Sequence, residues 1–238
     1  MTAWLSALRD GARQFNITLT STQEDRFADL LALLLARNQE INLTSITDPV
    51  EIARKHFVDS LSVETVWQPG KNERGIDIGT GAGFPGLPVA IRYPQLPLIL
   101  NDSARKKVDY LRDAVMKLEL RTVQPVWARA EELGHRQEYR SQFTVAFVRA
   151  VAHLALLIEY ALPLLRVGGR LIAMKGPSNE HEIAESAVAL EKLGGIIEET
   201  RMFELPEIGS RMLIVIRAQR KSPTQFPRDP GVAKKRRL

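Results

Sequence analysis

The chain has no cysteine among its 238 residues. That excludes a disulfide framework, a thiolate zinc or iron–sulfur site, and a cysteine nucleophile. Histidine is scarce as well. His56, His135, His153 and His181 show neither H-x-x-x-H nor H-E-x-x-H spacing, so no metal site is expected. Long apolar runs are missing: Leu30–Ala36 and Leu154–Ile158 fall far short of the roughly 20 residues that span a membrane. The opening MTAWLSALRD has no basic start and no cleavage site, so no secretory signal is expected. What remains, with 45% apolar residues, is expected to be a soluble, cytoplasmic α/β protein with a core of ordinary domain size.

Acidic residues are nearly absent from one end. Residues 217–238 carry eight Lys and Arg against Asp229, a net +7, whereas the rest of the chain carries 25 cations against 27 acids, a net −2. A basic tail on a slightly acidic body suggests a polyanion partner, nucleic acid above all. The plain alternative is a solvated tail that aids solubility. Its last 18 or so residues, rich in Pro, Lys and Arg, are expected to lack fixed structure on their own.

Hydrophobic periodicity divides the chain into a helical extension over 1–68, a main domain over 69–218 and the basic tail over 219–238. Leu5, Leu8 and Ala12, then Phe27, Leu30, Leu31, Leu34 and Leu35, recur at helical spacing. Asn38 to Thr47 loses the period and reads as a loop. Asp48-Pro49 reads as a helix start, with Asp as N-cap and Pro at the first position. His56 and Asp59 lie three apart on that helix, where they can sit side by side. From Gly75 the pattern becomes strand–helix alternation: strands Gly75–Gly79, Leu98–Leu100, Val123–Trp127, Val145–Val148 and Leu171–Met174, with helices Ser103–Glu119, Val151–Leu165 and Glu180–Leu193 between them. Arg166–Arg170 reads as a turn. Gly195–Phe203 and Met212–Arg217 can pair as a closing hairpin. This predicts an α/β fold with a doubly wound, mostly parallel sheet and an antiparallel strand at its edge.

The sequence Asp77-Ile78-Gly79-Thr80-Gly81-Ala82-Gly83 directly follows the first strand. Glycines at the carboxyl end of a first parallel strand allow a sharp turn and close approach of a ligand to the backbone. A tight turn without ligand is the alternative. A dinucleotide enzyme wants G-x-G-x-x-G with pyrophosphate on the helix N-terminus. Gly79, Gly81 and Gly83 instead make G-x-G-x-G, and Asp77 would repel pyrophosphate but suit an ammonium. This pattern resembles that of Rossmann-like methyltransferases that use S-adenosylmethionine (AdoMet), whose cofactor carries an ammonium and a sulfonium and no phosphate. That class expects an acid at the end of the second strand to accept from the ribose hydroxyls. Asp102 stands there, 23 residues after Gly79, and can equally cap the helix from Ser103.

A more specific resemblance follows. Asn42-Leu43-Thr44, then His56-Phe57-Val58-Asp59-Ser60-Leu61, then DIGTGAGFPG from Asp77 to Gly86, are similar to motifs of the RsmG (GidB) family. Asp102-Ser103 with Lys106 and Lys107, Arg129-Ala130-Glu131-Glu132, Arg149-Ala150-Val151-Ala152 and Met174-Lys175-Gly176 follow in order. The tail SPTQFPRDPGVAKKRRL resembles the family's ending, with Phe226 where Tyr is usual. The resemblance covers nearly the whole chain and implies methylation of N7 of one guanine in small-subunit (16S) ribosomal RNA, with AdoMet as cofactor. It implies cofactor contacts at Gly79, Phe84, Ala130, Glu131 and Arg149, beside Asp77, Gly81, Gly83 and Asp102 from the loop argument.

N7 carries its lone pair at neutral pH, so methyl transfer needs no general base and is mostly positioning. Arg149 and Lys175, each ending a central strand, are the candidate catalytic cations, directed at O6 or a phosphate because a donor on N7 would block attack. RNA-binding candidates are Asn42, His56, Lys234, Lys235, Arg236 and Arg237. Ordinary alternatives stand beside these. Phe84 can be core, Glu131 a first-turn carboxylate, Arg149 or Lys175 salt-bridged, His56 paired with Asp59, and Asn42 a turn residue. A nicotinamide oxidoreductase, a small-molecule methyltransferase and a non-catalytic RNA-binding module are the competing functions. A monomer is expected.

Overall fold

A computed structural model of the chain describes all residues except 1, 150, 151, 177–180, 206 and 230, and only the backbone of Lys234. The Ala150-Val151 part of one motif, the start of the helix expected from Glu180 and the side chain of Lys234 therefore lie outside the described residues.

Helix α1 (Ala3–Arg13) is followed by α2 (Ser21–Asn38), whose first turn is a capping box. The Thr20 hydroxyl accepts from the Gln23 N–H, and the Gln23 side chain accepts from the Thr20 N–H. Asp48 caps α3 (Pro49–Ile52) as expected, accepting from the Val50 and Glu51 N–H groups. The segment then widens into a π-helical turn, Ala53–Val58, before α4 (Asp59–Leu61) and a 3₁₀ turn. A π turn rotates the following side chains relative to an α-helix, and nothing in the hydrophobic period announces it.

The alternating part gives β1 (Gly75–Ile78), α5 (Gly86–Arg92), β2 (Leu98–Asp102), α6 (Arg105–Lys117), β3 (Val123–Trp127), α7 (Ala130–His135), β4 (Phe143–Arg149), α8 (Leu154–Ala161), β5 (Leu165–Lys175), α9 (His181–Glu185), α10 (Ala187–Leu193), β6 (Gly195–Leu205) and β7 (Gly209–Ala218). The described strands form one sheet in the order β3-β2-β1-β4-β5-β7-β6, with β7 antiparallel to both neighbours. The predicted closing hairpin is therefore present, and longer than expected. Strand order reverses between β1 and β4, so the crevice for a ligand opens at the carboxyl ends of these strands.

Strand alternation divides the core. Val145 and Phe147 point to a cluster containing α1, α2, α5 and α6, while Ala146 and Val148 point to one containing α8 and α10. The N-terminal helices thus cover one face of the sheet. Two boundaries differ from expectation. Arg166–Arg170 is a bulge within β5: Phe143 pairs with Leu165, Gly168 takes a positive φ of 84°, and pairing resumes at Val145 with Arg170. The helix expected to Leu193 breaks at buried Ser186, whose hydroxyl donates to the Glu182 carbonyl.

The tail is a correction. It was expected to lack fixed structure, but Phe226 and Ala233 are buried and α11 (Val232–Lys235) lies against α8. Glu159, 1% exposed on α8, accepts from the N–H, Nε and Nη2 of Arg228. Arg140 donates to the carbonyls of Ser222, Pro223 and Phe226. Composition alone marks the tail as solvated; partners on α8 and in the turn before β4 fix it.

Candidate active site

The glycine loop leaves β1 with Gly79, Gly81 and Gly83 all at positive φ, 67°, 61° and 91°, a conformation that side chains with a Cβ resist. A Cβ on Gly81 would meet nothing closer than 4.0 Å, so that face of the loop is open. A Cβ on Gly83 would collide with Leu87; this glycine serves packing of α5 rather than ligand approach. Beneath the loop, Asp77 is fully buried. Its Oδ2 accepts from the Thr80 hydroxyl and from the Gly86 N–H, and its Oδ1 has no hydrogen-bond partner among the described residues. Burial pushes its carboxyl up to about 7, against the Thr80 and Gly86 hydrogen bonds and the charge of Arg149, with Asp102 adding to the rise.

Asp102 ties the loop to β2. Its Oδ2 accepts from Gly81 N–H at 3.0 Å and its Oδ1 from Ala104 N–H at 2.8 Å. The N-cap position of α6 is Ala104, so Asp102 braces the turn before the helix instead of capping it. Asn101 ties β2 to the next turn through Nδ2 to the Ala128 carbonyl.

A cleft of about 510 Å3 opens here, lined by Gly79, Asn101, Ser103, Ala130, Glu131 and Tyr160 among others, with Gly231 of the tail at its wall. Of the expected cofactor residues, Gly79, Ala130 and Glu131 line it; Asp77 and Asp102 sit behind the loop. Glu131 is buried at the first turn of α7, and burial together with its carboxylate raises the Tyr160 hydroxyl pKa.

Phe84 is 3% exposed. Its ring packs in the core, and its face stacks on His56 at 4.7 Å and 21°. The Arg149 guanidinium lies 5.2 Å from the same ring. Arg149 is not in the first cleft. It lines a second one of about 330 Å3, with His56, Asp59, Lys175, Phe203 and Arg211. Asp59 holds Arg149 on Oδ2 at 2.9 Å and Arg211 on Oδ1 at 3.0 Å. The expected His56–Asp59 pairing is absent, because the π turn directs His56 to Phe84 and to the Thr44 hydroxyl, 2.8 Å from Nε2. Burial, then the charge of Arg149, lowers His56 to about 4, so the ring is neutral at physiological pH. Lys175 takes the salt-bridged arrangement that was the alternative for it. Its ammonium bonds Glu182 at 2.8 Å and the Ala152 carbonyl, and its side chain is 5% exposed. Burial opposes ionisation of Glu182, but Lys175 and the Leu154 N–H hold its carboxyl below the ordinary range.

Asn42 is exposed in its loop, as are Lys235, Arg236 and Arg237 on the tail. Sequence reasoning missed Arg211 and Asn38. Asn38 accepts from the Leu43 and Thr44 N–H groups and fixes that loop under His56; an Asn at a helix end was the available signal. Arg211 had none, since only strand pairing brings it to Asp59.

Residues 23–210 match the family described as rRNA small subunit methyltransferase G. The chain is similar to the ribosomal RNA small subunit methyltransferase G of Pelotomaculum thermopropionicum, 41% identical over the full length of both chains. It is 44% identical to that of Deinococcus radiodurans, over 94% of this chain and 89% of that one. Among solved structures, a SAM-dependent methyltransferase from Aquifex aeolicus matches with a TM-score of 0.55 at 15% identity, over 77% of this chain and 98% of that one.

Proposed function

The chain belongs to the rRNA small subunit methyltransferase G family, and from that premise we propose that it transfers a methyl group from AdoMet to N7 of one guanine in 16S ribosomal RNA. One observation carries the reading: two clefts open at neighbouring strand ends of one sheet, the first at the glycine loop and the second among Arg149, Arg211 and His56. Ribosome assembly in the cytoplasm is the matching setting.

The residues present fit AdoMet. The loop carries an open glycine face, and a buried Asp77 oxygen lacks a hydrogen-bond partner among the described residues. Gly79, Ala130 and Glu131 would hold the nucleoside end, Asp102 would accept from the ribose hydroxyls with the lone pairs left on its oxygens, and Asp77 would offset the ammonium. AdoMet supplies the methyl group on an electrophilic sulfonium.

The chain's own residues position the base. Guanine N7 needs no proton removed, so no residue of the second cleft need act as a base. Asp59 fixes Arg149 and Arg211 against one wall, where they can donate to O6 or to a phosphate and leave N7 clear. Lys175 acts through Glu182, holding the start of α8. Asn42 and the tail cations Lys234, Lys235, Arg236 and Arg237 engage RNA phosphates. An A-form major groove is too deep and narrow for this access, so the target guanine lies in a loop or is flipped out.

The test is incorporation of labelled methyl from AdoMet into naked 16S rRNA and into 30S subunits, repeated with 7-deazaguanine at the target. Incorporation into guanine RNA and none into the deaza RNA is expected. Methylation of deaza RNA would refute N7, and no incorporation into either substrate would refute the activity.

A further inference from the structure

Trp127 ends the edge strand β3 and is 53% exposed, unusual for so large an aromatic side chain. It is not loose. Its Nε1 donates to the Ser103 carbonyl at 3.0 Å, and the Arg105 guanidinium lies 5.5 Å from the ring centroid. In sheet register Trp127 stands beside Asp102, and Ser103 lines the first cleft, so the ring sits at that cleft's rim. Arg105, its neighbour Lys106 and Arg129, which lies two residues past Trp127 and lines the first cleft, are exposed and form no salt bridge among the described residues. A fixed ring beside uncompensated cations is the arrangement that stacks a base while tracking a phosphate backbone.

We propose that Trp127 and Arg105 form a stacking subsite for an unpaired nucleobase of the RNA substrate, with Lys106 and Arg129 on the flanking phosphates. The proposal rests on the methyltransferase reading above. Strand order puts three strand spacings between β3 and β4, roughly 14 Å. The stacked base is therefore a different nucleotide from the one methylated at Arg149, and the subsite reads the single-stranded context of the target. Cations on an exposed edge favour RNA over a second copy of this chain, which presents the same charge.

The experiment compares wild type with Trp127→Ala, Trp127→Phe and Arg105→Ala on naked 16S rRNA, on 30S subunits and on AdoMet alone. Loss of one base stack weakens RNA binding about 5- to 150-fold in Trp127→Ala. Trp127→Phe, which keeps a stacking face, should recover most of it. Arg105→Ala should also flatten the log–log salt dependence by up to about one unit. AdoMet affinity and melting temperature should stay at wild-type values, because the ring is exposed and outside the cleft lining. RNA should quench Trp fluorescence in wild type and much less in Trp127→Phe. Unchanged RNA affinity in Trp127→Ala overturns the subsite, as does an equal loss of AdoMet affinity. A defect on 30S subunits alone would assign the ring to a ribosomal protein, and dimerisation abolished by Trp127→Ala would assign it to a second copy; either overturns the RNA assignment. Absent methyl incorporation by wild type would instead indict the proposed activity, so the two failures are distinct.

Discussion

The imidazole of His56 lies flat on the ring of Phe84, 4.7 Å away. One residue comes from the N-terminal helical segment and the other from the end of the glycine loop, so the stack ties that segment to the loop. His56→Ala should cost about 1–3 kcal/mol through the lost ring contact and the lost Thr44 hydrogen bond. With its pKa lowered from 6.5 to about 4, the ring favours the neutral form on folding. The associated stability is fully present above pH 6.5 and is lost as pH falls towards 4. Ring nitrogen shifts by NMR should report a neutral His56 at pH 6; protonation there would remove the proposed burial effect.

Asp77 runs with the opposite sign. Burial raises its pKa from 3.8 to about 7, so the folded chain binds the proton more tightly. That stability is fully present below pH 3.8 and is lost as pH rises through 7. Asp77→Asn should be more stable than wild type at pH 8, by up to about 4 kcal/mol. It should also bind AdoMet more weakly and lose the tightening of AdoMet affinity that wild type should show from pH 6 to 8. Urea unfolding and calorimetry across that range read both effects.

Asp59 neutralises two guanidinium groups from β4 and β7. Asp59→Ala leaves both without a carboxylate, at a cost of about 3 kcal/mol in urea unfolding, the low end for a broken buried pair because Arg211 still touches water. Methyl transfer to RNA should fall while AdoMet affinity holds, since the first cleft does not use this residue. Equal loss of both would make Asp59 a general scaffold.

The basic tail has two separable roles. Arg228→Ala strips buried Glu159 of its charged partner and should destabilise the chain by about 3–5 kcal/mol, with the tail opened to protease. Replacing exposed Lys235, Arg236 and Arg237 by Ala should change stability by under about 0.5 kcal/mol. It should flatten the salt dependence of RNA binding by up to about three units. Filter binding at several salt concentrations, beside unfolding curves, checks the division.

The sequence by itself determined the alternation of strands and helices, the loop at Gly79, Gly81 and Gly83, the cap at Asp48, and the closing hairpin. Each is written in local spacing or in a backbone conformation that particular residues permit. Contacts between residues far apart in the chain were decided only by tertiary structure. The bond of Arg211 to Asp59, across 152 residues, depends on which elements the fold makes neighbours. Arg149 faces the second cleft because Asp59, 90 residues earlier, opens α4 directly after a π turn that no hydrophobic period reveals. The tail read as unstructured because its composition is polar, yet Arg228 finds Glu159 across α8. A buried carboxylate is stabilised by whichever cation the fold delivers to it, and that partner cannot be read from its neighbours in sequence.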